Sequence, residues 1–144
     1  MSATDPNRTS WTDADFEDMG WHDCTIHGLR FDQDGEYQSD LVLDLDYIIE
    51  WLQIPGGAYQ FQVAPAQLQF QNVDNLNIQV VLQYKQTVGI NEIVRASSHW
   101  VIRLHGYAGQ ESSQVEFDAS GYVQKLTRPP IIVRRQHLTR SERE

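Results

Sequence analysis

The sequence predicts an all-β domain, or a β-rich α+β one: a single antiparallel sandwich or flattened barrel led by one short N-terminal helix. Three observations predict it. The stretch 21–51 holds two runs of strand-type residues, WHDCTIHGLRF and LVLDLDYIIEW, separated by the turn cluster DQDGEYQSD. Further segments repeat a period-two alternation of apolar and polar residues at short intervals, with Gly, Pro, Asn and Asp between them. Nothing shows the alternation of strand and helix that builds a parallel sheet. About six to eight strands and under about a fifth of the residues in helix are therefore expected.

Residues 1–9 are polar and are expected to be disordered, leaving a domain over 10–138 and a charged tail over 139–144. SWTDADFEDMG (10–20) predicts the helix: Ser10 or Thr12 caps it, Asp13, Asp15 and Glu17 favour its positive end, and Gly20 closes it. In the alternative α+β arrangement this helix covers an open face or edge of the sheet. In LVLDLDYIIEW, Leu41, Leu43, Leu45, Tyr47, Ile49 and Trp51 share one parity and point to the core, whereas Asp44, Asp46 and Glu50 share the other and point to water. Pro55 and Gly56-Gly57 end that run.

Tyr59 to Phe70 reads as one bent strand, or as two short strands joined at Pro65, because the apolar parity switches there. Leu76 to Tyr84 alternates cleanly and predicts a strand. Thr87 to Ser98 fits either a short helix or a loop. His99 to Tyr107 and Gln114 to Asp118 are strands, and Gly121 to Leu126 continues the latter after a bulge at Ser120-Gly121. Arg128-Pro129-Pro130 interrupts the ladder, and Ile131 to Val133 forms a last edge strand. The expected core is Leu43, Leu45, Tyr47, Phe61, Leu68, Phe70, Ile78, Val80, Trp100, Ile102, Leu104 and Phe117.

At 144 residues the chain is long enough to bury a core without covalent staples. Its single cysteine, Cys24, makes neither an internal disulfide nor a thiolate zinc site, and beside a strand it reads as a small core side chain. The start MSATDPNRTSW lacks a basic region followed by an apolar run, and no stretch of about 18 apolar residues occurs, so a cytoplasmic location without membrane contact is expected. Net charge is −9, with thirteen of the twenty acids in residues 1–50. An acidic chain of this kind argues against nucleic acid and for a protein partner with a basic surface.

No GxGxxG, P-loop, HExxH, GxSxG or complete EF-hand pattern is present. DQDGE at 32–36 is turn chemistry, and no cofactor or resident metal is expected. Two surfaces remain. The outward acids Asp40, Asp44, Asp46 and Glu50, beside a ladder of glutamines (Gln60, Gln62, Gln67, Gln69, Gln71, Gln79 and Gln83), form a candidate partner-binding face. His22, Asp23, His27 and Asp44 form a candidate catalytic cluster if the hairpin brings them together, since imidazole and carboxylate supply acid–base groups or metal ligands.

FEDMGWHDCTIHGLRF, LVLDLDYIIEW, FQVAPAQLQFQNVDNL and VEFDASGYVQKLTRPPII resemble a family of small bacterial proteins of unknown function, in which a WHD strand, an LDxDYIxxW strand and an APAxLxFxNVxNL stretch recur in this order. The resemblance runs from Phe16 to about Leu138 and implies no catalytic or ligand-binding residue. It extends loosely to candidate immunity proteins of toxin systems. The sequence thus favours a non-enzymatic binding module, immunity-like or adaptor, working through its acidic, glutamine-rich face. The alternative is a metal-assisted or acid–base enzyme built on His22, Asp23, His27 and Asp44.

Overall fold

The computed structural model describes residues 7–33, 38–105 and 113–144, of which 57% are strand and 8% helical. The strands are β1 (Ser10–Thr12), β2 (Thr25–Asp32), β3 (Asp40–Gln53), β4 (Tyr59–Gln71), β5 (Asp74–Gln79), β6 (Val88–Ala96), β7 (His99–Leu104), β8 (Gln114–Asp118), β9 (Gly121–Leu126) and β10 (Ile131–Val133). A 3-10 helix spans Asp13–Asp18, and one turn of helix, α1, spans Arg140–Arg143. The turn predicted at 32–36 lies largely outside the described residues, as do positions 106 and 107 at the end of the strand predicted from His99.

All pairings are antiparallel, and the strands form one open path, β1-β9-β4-β3-β2-β6-β7-β8-β5, with β10 added beside β4. Its narrowest joint is between β2 and β6, where only Thr25 pairs with Gly89 and Ile26 with Val88. There the sheet turns back on itself, so that Phe70 of β4 meets Trp100 of β7 and Phe117 of β8 at ring separations of 5.2 and 4.7 Å. The result is the expected antiparallel sandwich, in which the two layers are parts of one sheet.

Leu41, Leu43, Leu45, Leu68, Phe70, Trp100, Ile102, Val115, Phe117 and Tyr122 fill the space between the layers. Each such side chain contributes about 1.5–3 kcal/mol by leaving water. Trp11, Trp21 and Trp100 are buried, while Trp51 stands exposed against Tyr59 and Phe61. The register of β3 on β4 shifts between Ile48 and Glu50, and this bulge takes Trp51 off the core parity that the alternation predicts for it.

Pro65 sits within a single continuous β4. Its carbonyl accepts from Thr127 N–H at 2.8 Å, and since the proline cannot donate in return, the β4–β9 ladder ends at Ala66 and Leu126 before β10 takes up the same edge at Val63.

Several expectations change. The helix predicted from Ser10 begins at Asp13, because extended pairing of Trp11 with Gln124 on β9 places the indole in the core. Thr12 then caps the 3-10 turn through Ala14 N–H, while the Asp15 carboxylate accepts from Thr12 N–H and from Arg8. These two donors, the Thr12 amide first, hold the Asp15 carboxyl below its ordinary range. Arg8 and Thr9, expected to be disordered, are tied down: Thr9 accepts from Leu126 N–H.

Residues 88–96, read as helix or loop, are strand β6, because β7 is available to pair with them and tertiary pairing outweighs weak local preference. The strand predicted over 76–84 stops at Gln79, and Ile78, expected in the core, is 40% exposed because it lines an open groove. The bulge expected at Ser120-Gly121 is instead a corner where the chain leaves β8 in one layer for β9 in the other. Gly121 suits it, since a Cβ there would fall 2.5 Å from Asp13 Oδ1.

Candidate functional site

The acidic face does not form. Asp40 and Asp46 are buried, and only Asp44 and Glu50 reach solvent. As far as Tyr47 the parity of β3 is as predicted, but its second face is also covered. At one end Asp40 accepts from Gln38, Gln69 and the backbone N–H of Asn72. Burial opposes the charge on Asp40, yet these three donors outweigh it and hold the carboxyl below its ordinary value.

At the other end the segment after β10, predicted as a charged tail, crosses the face. Leu138 is buried, its N–H donates to Asp46 Oδ2 at 2.8 Å, and Arg143 forks its guanidinium between Asp46 and Asp44. The segment has local reasons to fold. Thr139 and Glu142 make a reciprocal capping box, and Arg135 grips Glu142 through two bonds of 2.9 and 3.1 Å. Arg135 and the Thr139 amide bring the Glu142 carboxyl down to about 2.

The four-residue cluster predicted from the hairpin divides in two. His27 occupies the bulge between Ile26 and Gly28 and donates from Nε2 to Asp46 Oδ2 at 2.6 Å. With Leu138 N–H and Arg143 this gives Asp46 three donors, two of them from the C-terminal segment, so the carboxylate acts as an anchor for that segment. A polar cleft of about 540 Å³ beside it is lined by His27, Asp44, Gln67, Thr127, Arg140 and Arg143.

His22 and Asp23 lie elsewhere, at the turn before β2, and their companion is His105 at the end of β7. His105 Nε2 is 2.8 Å from Asp23 Oδ1, Gln136 donates to Asp23 Oδ2 at 3.0 Å, and His22 Nε2 stands 3.6 Å from the same oxygen. His22 Nδ1 lies 2.9 Å from the Asn91 carbonyl, which only accepts, so that nitrogen carries a hydrogen. Asp23 adopts φ +69 with its N–H bonded to Ile90 O, an orientation that turns the carboxylate toward both imidazoles. Among the described residues His22, Asp23 and His105 are the group able to hold a metal ion.

Cys24 between them is fully buried, and burial pushes its thiol up to about 12, so the thiolate a nucleophile needs is absent at neutral pH. His105 was missed because it reads as an outward strand residue, and Arg143 because a basic terminal run reads as solvated tail; neither carries a local signal of its partner.

A second feature is apolar. A groove of about 270 Å³ lies between β2 and β5, with Ile26, Leu29, Ile78, Leu82, Val88 and Val115 among its walls. Leu82 of its wall is 73% exposed, and Phe31, Val81 and Tyr84, one or two positions along the chain from wall residues, are exposed as well, Tyr84 at 89%. Beyond Ile26, β2 pairs only with β3, and β5 pairs only with β8, so among the described residues the groove runs between two unpaired strand edges.

No family model, curated protein or solved structure matches this chain. No helix among the described residues is long and apolar enough to cross a membrane.

Proposed function

We propose that this protein is a non-enzymatic binding module that takes an extended, apolar and basic segment of a protein partner into the groove between β2 and β5. The observation that carries the reading is the pairing of apolar walls with two strand edges that are unpaired among the described residues. Edges supply main-chain hydrogen bonds to an added strand, and apolar pockets select alternate side chains. An exposed apolar run such as Ile78, Val81, Leu82 and Tyr84 is costly in water and is a common mark of a contact surface.

Charge supports the basic character of the partner. Asp32 at the end of β2 and Asp74 at the start of β5 are exposed, and they lie at the same end of the groove, where Val73 N–H bonds to Ser39 O beside Asp40. A Lys or Arg in the bound segment meets them there, and the net charge of −9 speeds its approach. The loose resemblance to immunity proteins fits such a partner. The enzyme alternative has less behind it, because His22 and Asp23 do not share a cleft with His27 and Asp44.

Selection of displayed random peptides against the folded protein tests the reading. Alternating apolar sequences carrying Lys or Arg are expected, with affinity falling about tenfold or more in Ile78→Asp and Leu82→Asp, a loss of about 1.4 kcal/mol or more. Peptides that bind both variants as well as the original chain, or no enrichment at all, would refute it.

A further inference from the structure

The geometry points to a transition-metal site at His22, Asp23 and His105, which takes a divalent ion of the zinc class with one coordination position left open. This inference is independent of the groove. It begins with two facing ligand atoms. The hydrogen on His22 Nδ1 is committed to the Asn91 carbonyl, so Nε2 is the nitrogen left to act as a ligand, and it faces Asp23 Oδ2 at 3.6 Å. In the neutral ring that nitrogen carries a lone pair, so a cation entering the gap meets two electron-pair donors.

The spacing suits a metal ion. Zinc binds imidazole nitrogen and carboxylate oxygen at about 2.0–2.2 Å, so two ligand atoms on one tetrahedral ion stand about 3.4 Å apart. The ligand atoms of His22, Asp23 and His105 all lie within 4.8 Å of one another. His105 Nε2 is closer to Asp23 Oδ1, at 2.8 Å, than two ligands sit. Entry of the ion therefore replaces that hydrogen bond, moves the imidazole hydrogen of His105 to Nδ1, and shifts the ring by a few tenths of an ångström.

The surroundings hold the donors in place. The carbonyl of Asn91 fixes the tautomer of His22, and the amide of Gln136 orients the Asp23 carboxylate. Such outer contacts are what a metal-ligating imidazole and carboxylate require. Gly89 leaves room for the His105 ring, since a Cβ there would lie 2.8 Å from its Cδ2. The donors come from the lead into β2 and the end of β7, and their supports come from β6 and the C-terminal segment. A bound ion thus clamps the β2–β6 joint, the narrowest point of the sheet.

The test is calorimetric titration of the tag-free chain with zinc chloride, with melting followed in parallel. One ion per chain is expected, with a rise in melting temperature. His22→Ala, His105→Ala and Asp23→Asn should each weaken affinity by about tenfold or more, as loss of a ligand or its orientation does. Asp23→Asn is the informative variant for folding, because Asn tolerates positive φ. His99→Ala removes a comparable imidazole beside Glu116 and Asp118 and should leave binding unchanged. No zinc binding by the folded chain would show a polar cluster only and overturn the proposal, as would binding that survives all three substitutions or is lost in His99→Ala.

Discussion

Two histidine–aspartate clusters stand on the same strand and its lead, and they differ in what closes them. Around Asp46 the carboxylate is fully buried and meets an imidazole, a backbone N–H and a guanidinium from the chain's own C-terminal segment. Around Asp23 the carboxylate is partly exposed and meets one imidazole and one amide, while a second imidazole stands 3.6 Å away. The same residue types thus make an internal anchor in one place and an open donor set in the other. The presence of Arg143 decides which, because a permanent cation already neutralises the buried carboxylate and occupies its approach.

Removing that cation is the most severe way to break the contrast. Arg143→Ala leaves Asp46 buried without its charge partner, and such a loss costs about 3–5 kcal/mol. Urea unfolding of the variant measures it; a cost under about 1 kcal/mol would mean that His27 and Leu138 N–H suffice. Next in size is Leu138→Ala, which removes the buried apolar contact of the same segment and should cost about 2–4 kcal/mol through lost transfer energy and a cavity. If the segment peels away without affecting the sheet, the loss of stability will be small and Asp46 will become accessible to amide-coupling reagents.

The open cluster should respond weakly to comparable changes. Asp23→Asn keeps the shape, the positive φ and one acceptor, so in the absence of added metal it is expected to cost about 1 kcal/mol or less. A cost as large as that of Arg143→Ala would show the Asp23 cluster to be a structural anchor too, and the contrast would fail.

The β-fold and most of the core were legible because alternation reports burial directly: Leu43, Leu45, Leu68, Phe70, Trp100, Ile102 and Phe117 are all in the core. What alternation reports is two faces, and it carries no information on whether the second is wet. Asp46 reads as an outward acid and is outward, yet Leu138 and Arg143, about ninety residues on, cover it. The pairing of His27 with a β3 carboxylate was readable from the hairpin, whereas the His105–Asp23 contact depends on how the sheet folds over. Ile78 has the alternation of a core strand and lines a groove, because nothing in β5 itself indicates the distance to β2.

A third imidazole calibrates the other two in the mildest way. His99 lies exposed on β7 with Asp118 at 2.8 Å and Glu116 at 3.3 Å, so its pKa is raised by the hydrogen bond to Asp118 first and by Glu116 second. Asp118 is held below its ordinary value by Asn75 first and by His99 second. A raised histidine contributes stability that is complete below its ordinary value of 6.5 and fades as pH climbs through its folded value; a lowered aspartate contributes above 3.8 and fades as pH falls through its own folded value. The stabilisation therefore lies on the mildly acidic side of neutrality. His99→Gln should narrow the stability difference between about pH 5.5 and about pH 8.5, and added salt should narrow it further, because exposed pairs are screened. A gap between the two proteins that widens as pH rises would mean that His99 is stabilised as the neutral ring, and the hydrogen bonds to Asp118 and Glu116 would not be what holds it.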